Sequence, residues 1–272
     1  MEYELVTRNA GAPLRSHVMR YCGYSVRSSG PARRREPLST GVVLIVGLGP
    51  KLGLVDRADP SRPPARLGSF LAGLDDTCAV IEHDGEMSGV QIDLTPLATR
   101  MLFGVPMHEL AREAVALEDL LGAQARQLEE RLIESGTWDQ RFELIESALA
   151  KRLAVAEPPP PDVDWAWRRL VATRGRLRVA DLAAELGCSR KHLAVRFREH
   201  VGLPPKLVAR TMRFRHAIDL MAGSMTSLAE LAAACGYFDQ SHLDRDFRDF
   251  AQTTPSAYRS ERAPFVQDPT PV

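Results

Sequence analysis

The spacing of hydrophobic positions changes along this chain. Up to about residue 94, short β-branched runs such as GVVLIVG at residues 41–47 stand between glycines and prolines, a pattern typical of strands. The Asp84-Gly85 pair between two later runs predicts a hairpin turn. From residue 96 to residue 156, apolar residues recur every three or four positions, which predicts helices. The first part of the chain is therefore expected to be antiparallel β followed by helix.

Four consecutive prolines, Pro158 to Pro161, mark the clearest boundary in the sequence. Prolines cannot continue a helix and favour an extended spacer. We therefore predict a multidomain α+β protein. Its expected parts are a β-rich domain over 1–105, a helical segment over 106–156 that completes the first core or pairs with a second subunit, a proline-rich linker over 157–163, an all-α domain over 164–262 and a flexible tail over 263–272.

One short pattern occurs twice in the expected all-α domain. LAAELGCSRKHLAVRF covers residues 182–197, and LAAACGYFDQSHLDRDF covers residues 231–247. The apolar letters and a glycine are shared while the polar letters differ, so the copies should share a fold but not a target. Each copy is predicted to be a short helix, a glycine turn and a second helix, capped by Ser189 in the first copy and by Asp239 in the second. This is the helix-turn-helix plan, whose second helix enters the DNA major groove.

The charge distribution indicates a polyanionic partner. The formal net charge is zero, yet residues 163–262 hold 17 Lys and Arg against 11 Asp and Glu, and residues 168–215 hold 13 against 3. Such a local positive excess favours nucleic acid. The second helix of the second copy is an exception, since it has four aspartates against two arginines. We therefore expect the first copy to supply most of the affinity and the second to refine register or sequence.

Helical geometry identifies candidate DNA contacts. Leu193 and Phe197 define the buried side of the second helix in the first copy. The candidate base contacts project away from the buried side of each copy; they are Lys191, Ala194, Val195, Arg198, Gln240, Ser241, Asp244 and Arg245. The candidate phosphate contacts are Arg190, Arg196, Arg210, Arg213 and Arg248. A long helix between the copies is expected to hold them about 34 Å apart, one turn of B-DNA.

These residues resemble the AraC family of bacterial transcription regulators. The resemblance rests on LAAELGCSRKHLAVRFREHVG and ACGYFDQSHLDRDFRDFAQTTPSAYR, with its glycine-aromatic pair and Thr-Pro-x-x-Tyr-Arg ending. It implies a seven-helix domain with two helix-turn-helix units that binds promoter DNA to activate or repress transcription. It also implies that family base-contact positions correspond to Lys191, Ala194, Val195, Gln240, Ser241 and Arg245. Family members often have a long polar or aromatic reader where this chain has Ala194 and Val195, so base preference does not transfer.

The part before the prolines looks like the sensor domains of larger family members, in which a β-barrel body precedes dimerisation helices. The implied partners are double-stranded promoter DNA, a small-molecule effector, a second copy of the chain and, for an activator, RNA polymerase. No effector-binding residues are identified. Two alternatives stay open: a constitutive regulator whose first domain only dimerises, and an enzyme domain fused to an AraC-type module, as in DNA-alkylation repair proteins.

No catalytic, metal or cofactor site is expected. The fused-enzyme alternative would need a zinc-binding cysteine cluster, which the widely spaced cysteines do not suggest. His17, His83 and His108 are also scattered. The longest uncharged stretch, residues 38–50, is too short to span a membrane, and the charged first residues are unlike a secretory signal. We therefore expect a cytoplasmic protein.

Overall fold

The computed structural model describes residues 2–55, 63–221 and 227–260. The strands in these residues are β1 Glu2–Arg8, β2 Val18–Arg27, β3 Ala32–Glu36, β4 Val42–Gly47, β5 Leu52–Leu54, β6 Ala65–Leu67, β7 Phe70–Ala72, β8 Ala79–His83, β9 Glu86–Leu94 and β10 Ala114–Ala116. The helices are α1 Pro96–Phe103, α2 Met107–Leu110, α3 Leu117–Leu121, α4 Ala123–Glu134, α5 Trp138–Leu153, α6 Pro161–Ala172, α7 Val179–Glu185, α8 Arg190–Val201, α9 Pro205–Met221, α10 Leu228–Ala234, α11 Gln240–Ala251 and α12 Pro255–Ser260.

The strands form two antiparallel sheets, which confirms the predicted β body. One sheet has the order β1-β2-β9-β4-β7-β10 and the other has the order β3-β8-β5-β6. The turn predicted at Asp84-Gly85 is present between β8 and β9, and Gly85 has a φ of 105°. The expected hairpin is wrong, because β8 and β9 lie in different sheets and an Asp-Gly pair indicates a turn but not which strands pair. Apolar residues of both sheets, among them Tyr24, Phe70 and Ile81, pack between them. The sheets do not close into a barrel, so the body is a sandwich with open edges.

The helices that follow the sheets complete the core of the first half. Phe142 of α5 packs on Tyr21 of β2 with 5.9 Å between ring centroids. Trp138 of the same helix covers Gly23, where a Cβ would lie 2.4 Å from the indole ring. The short strand β10 interrupts this predicted helical segment and joins the six-stranded sheet beside β7. Three residues are too few for a periodic pattern, so the spacing of hydrophobic positions does not indicate β10.

The proline segment leads directly into the second half of the molecule. Pro161 is the first residue of α6, because a proline at the first helical position loses no intrahelical hydrogen bond. The end of the predicted 157–163 linker is therefore helical. Val163 and Trp167 of α6 belong to the same buried cluster as Leu97 and Leu149 from the first half. The two halves thus share one continuous core.

In its described residues, the second half forms the seven helices that the family resemblance implies, α6 to α12. Helices α7 and α8 make the first helix-turn-helix unit, α10 and α11 make the second, and α9 joins them. Gly187 and Gly236 end the first helix of each unit with φ values of 62° and 75°. The Ser189 hydroxyl and the Asp239 carboxylate each accept a hydrogen bond from the backbone N–H three residues later, at 3.1 and 2.7 Å. The predicted turns and caps are confirmed.

Candidate nucleic-acid interface

The second helix of the first unit, α8, has one buried and one exposed side. Leu193 and Phe197 are fully buried, as the sequence predicted. Lys191, Val195 and Arg198 are exposed on the outer side, and the fourth candidate base contact of this helix, Ala194, is half-buried. Val195 is 57% exposed, so its methyl groups are accessible for contact with a thymine methyl group. We refer to α8 and to its counterpart α11 as the reading helices.

The reading helix of the second unit, α11, is strongly amphipathic. Leu243, Phe247 and Phe250 are buried against the rest of the unit. The exposed residues of its outer side are Gln240, Ser241, Arg245 and Arg248, and Asp244 is half-buried. The candidate base contacts of α11 are therefore accessible, or partly accessible, at the surface.

Both reading helices border a single groove of about 880 Å³. Lys191 and Ala194 of α8 line it from one side, and His242 and Arg245 of α11 line it from the other. The basic residues that line this groove are Arg178, Arg190, Lys191, Lys206, Arg210, Arg213 and Arg245. The two units therefore present their reading helices on one basic surface rather than on opposite sides of the molecule.

Two residues of this surface, and an exposed aromatic residue just before α11, escaped sequence reasoning. Arg178 precedes α7 and Lys206 lies in the first turn of α9, so both face the groove from helix starts, where phosphate groups bind well. Phe238, just before the α11 cap, is 93% exposed. Arg178 and Phe238 lie between helices, so periodicity within one helix cannot nominate them. The sequence feature that could have indicated these residues is that turns cluster around the repeated pattern.

An ion-pair cluster, formed by Arg210, Asp246 and Asp249, explains the acidic character of α11. One guanidinium nitrogen of Arg210, on α9, lies 2.6 Å from Asp246 and 2.7 Å from Asp249. Asp246 is completely buried, and its neighbour Arg210 also stacks over the Phe250 ring at 4.7 Å. Since Asp239 caps the helix, three of the four aspartates have structural partners. Most of the negative charge of α11 therefore forms ion pairs or hydrogen bonds within the domain.

Three candidate phosphate contacts have partners inside the protein. Arg196 pairs with Asp162 at 2.9 Å, and this hydrogen-bonded pair lowers the pKa of the Asp162 carboxyl. Arg210 belongs to the ion-pair cluster, and Arg213 donates to the Gly175 carbonyl at 3.0 Å. Their role at phosphate stays a prediction. The other two candidates, Arg190 and Arg248, are exposed.

Both reading helices end against the first half of the molecule. At the end of α8, Arg100 pairs with Glu199 at 3.0 Å, and a Cβ on Gly202 would lie 2.8 Å from the Met107 carbonyl oxygen. At the end of α11, the backbone N–H of Cys78 donates to the Phe250 carbonyl at 2.9 Å. The first half of the chain therefore contacts each unit at the same point of its reading helix.

His200, near the end of α8, should make stability depend on pH. Burial, followed by the nearby Arg100 and Arg196, lowers the pKa of this histidine below its ordinary value of 6.5. The unfolded chain then takes up a proton as pH falls through 6.5, while the folded chain resists it. We expect the melting temperature to decrease as the pH is lowered from about 7.5 to about 5.5, and to decrease less in the His200→Leu variant. An equal fall in both proteins would contradict this role.

Comparisons with known proteins agree with this geometry. Residues 182–261 match the family model described as a helix-turn-helix domain. An apo variant of ToxT from Vibrio cholerae strain SCE256 has a similar structure, with 13% identity over 93% of this chain and 99% of ToxT and a TM-score of 0.51. Unsaturated fatty acid-bound ToxT from the same strain is 12% identical over 94% of both chains, with a TM-score of 0.49. The C-terminal domain of AraT, a response regulator from Geobacillus stearothermophilus, is 20% identical over 39% of this chain and 89% of that domain, with a TM-score of 0.36. No curated protein matches the chain by sequence.

The second half of the molecule is thus a helix-turn-helix domain of the AraC type, as the sequence resemblance implied. The fold of the whole chain, antiparallel sheets followed by a helical domain, is the one seen in ToxT. Within the residues that the structure describes, no helix is long and apolar enough to cross a membrane.

Proposed function

We propose that this chain is a transcription regulator that binds promoter DNA by placing α8 and α11 in successive major grooves on one face of the duplex. The observation that supports this most directly is the shared basic groove, to which both reading helices contribute. The proposed base contacts are the candidates of the sequence analysis, with Lys191 and Arg245 foremost because both line the groove. The phosphate contacts proposed with most support are Arg178, Arg190, Lys206 and Arg248.

The first half of the chain is proposed to bind a small-molecule effector. A cavity of about 800 Å³ lies between the two sheets, within the size range of small-molecule sites. Leu52, Phe70 and Met87 give it an apolar lining, and Tyr24 and Gln91 add polar groups. Such a lining suits a compact, largely apolar molecule with one or two hydrogen-bonding groups. This cavity favours effector sensing over a domain that only dimerises.

One loop, residues 73–78, is placed to transmit the effector signal. Gly73, Asp75 and Thr77 line the cavity, while the N–H of Cys78 bonds to the end of α11. The same loop is tied to the region of α2, because Arg112 donates to both oxygens of Asp76 at 2.9 and 2.7 Å. These bonds lower the pKa of the Asp76 carboxyl. We propose that an effector changes the position of this loop and thereby the presentation of the reading helices.

Filling the cavity tests the effector site. Ala72 and Ala114 both line it, so Ala72→Phe or Ala114→Phe should abolish the rise in melting midpoint that a bound compound gives to the parent protein. DNA affinity without compound should be retained. The measurement is a thermal-shift screen with a library of small molecules, followed by DNA-binding assays.

The matched control for this screen is Ala123→Phe, which places the same ring on an exposed position of α4. Compounds that shift the parent should shift this control equally. If compounds raise the melting midpoints of both cavity variants as much as that of the parent, the effector site lies elsewhere. If no compound changes melting or DNA affinity, the constitutive alternative is favoured.

The remaining partners follow from the class of protein. We propose that the chain acts as a homodimer in the cytoplasm and, if it activates transcription, that it contacts RNA polymerase. The fused-enzyme alternative has no supporting observation: in the described residues, no group of three or more His, Cys, Asp or Glu is placed to hold a metal ion. The described cysteines are all free thiols.

A further inference from the structure

Strand β1 forms an open edge of the six-stranded sheet. In the described part of the chain, β2 is the one strand that pairs with it. All seven residues of β1 pair with β2 without a bulge, and the first four are exposed on both faces of the sheet. An edge strand of this length presents a row of backbone groups to a further strand.

Two large apolar side chains on this edge are exposed to solvent. Tyr3 is 54% exposed and Leu5 is 37% exposed. They lie opposite Val26 and Tyr24 of β2, which belong to the core between the sheets. Tyr3 and Leu5 therefore continue this apolar face onto β1, the edge strand of the sheet. A partner strand at this edge would cover them.

The charges along β1 make the strand complementary to itself. Glu2 and Glu4 lie at its start, and Arg8 lies at its end. If two copies pair antiparallel with Leu5 opposite Leu5, Glu2 of each copy stands opposite Arg8 of the other, at both ends of the pairing. Arg8 pairs with Glu146 of its own chain at 3.3 Å, but its side chain is still 32% exposed and is accessible to Glu2 of a second copy. A parallel in-register pairing would instead place Glu2 and Glu4 beside their own copies.

The helices that the sequence suggested for dimerisation offer less apolar surface. Leu132 of α4 and Phe142 and Ile145 of α5 are buried inside the chain, where they complete the core. Ile133, 60% exposed on α4, stands between Leu132 and the charged Glu134. The apolar stripes that predicted a dimerisation surface are thus largely used within one copy.

We infer that the dimer forms through β1, with two copies pairing antiparallel about Leu5 so that one sheet runs through both. This inference rests on the proposed homodimer but is independent of the DNA contacts. Tyr3 of each copy packs beside Leu5 and Thr7 of the other, and backbone hydrogen bonds join the two edges. The partner at this surface is a second copy of the chain.

Sedimentation velocity of the full chain over a range of concentrations tests this inference. Leu5→Lys and Leu5→Glu each place like charges face to face at the symmetry axis, so each should raise the dimer dissociation constant by roughly tenfold or more. Because residue 5 faces residue 5, an equimolar mixture of the two variants should dimerise again. Ile133→Lys is the matched control on α4 and should leave the parent's dissociation constant unchanged. Melting midpoints establish that each variant is folded.

The outcomes separate the two claims. If Leu5→Lys still dimerises while Ile133→Lys is monomeric, the β1 inference is overturned and the proposed dimer stands, formed by helices. If both Leu5 variants are folded monomers whose mixture stays monomeric, the pairing about Leu5 is overturned. If the parent is a monomer at every concentration, with and without DNA, both the inference and the proposed dimer are overturned, and the DNA-binding assignment is unaffected.

Discussion

Arg210→Ala is expected to destabilise the second helix-turn-helix unit by roughly 3 kcal/mol, because it leaves a buried carboxylate without its counter-charge. Asp246 is completely buried, and its partner Arg210 joins α9 to α11. The same guanidinium neutralises Asp249. Urea unfolding followed by circular dichroism measures the change. Loss of DNA affinity should accompany it, since α11 would no longer be held in position.

Two further variants identify the cause of this loss. Arg168→Ala breaks an exposed pair with Asp164 on α6, so we expect a change of about 1 kcal/mol or less. Arg210→Met combined with Asp246→Leu removes both buried charges and should recover much of the lost stability. If Arg210→Ala were no more destabilising than Arg168→Ala, the ion-pair cluster would have no structural role.

Arg245→Ala is expected to weaken binding to the cognate DNA site by about 1 to 3 kcal/mol and to relax sequence preference at one position of that site. Arg245 is exposed on α11 and lines the shared groove. Fluorescence anisotropy with the selected site and with single-base variants of it measures both effects. The variant should keep the parent's melting midpoint, because the side chain contributes nothing to the buried side of α11.

The matched control is a change at Arg248, which follows Arg245 by about one turn of α11. Arg248→Ala, a change at a proposed phosphate contact, should weaken binding to all sequences alike and reduce the slope of log affinity against log salt by about 1. Equal affinity of Arg245→Ala and the parent for every base variant would remove Arg245 from the base-reading set. Arg198→Ala offers the corresponding test on α8.

The local features of the fold were readable from the sequence because each depends on nearby residues. The caps at Ser189 and Asp239 and the two glycine turns are confirmed, and the chain turns at Asp84-Gly85 as expected, although not in a hairpin. Long-range features were not readable. The strand β10 pairs with β7 some forty residues earlier, and α6 begins within the proline segment because Val163 and Trp167 join a core shared by both halves.

The candidate interface was predictable in its exposed positions but not in its ion pairs. Helical periodicity correctly placed Lys191 and Arg245 outside and Leu193 inside. The partners of Arg196 and Arg210 lie 34 and 36 positions away, so no local pattern showed that these side chains are engaged. The same separation hid the reason for the acidic second unit, which appeared from sequence to repel DNA.

The central claim is that two reading helices contact one face of a duplex together. Selection of bound sequences from random DNA, using the full chain, tests it most directly. We expect each bound site to contain two short preferred blocks centred about 10 base pairs apart, one helical turn. Changes at Lys191 should alter one block and changes at Arg245 the other. Selection of no preferred sequence, or of one block that neither variant alters, would contradict the account.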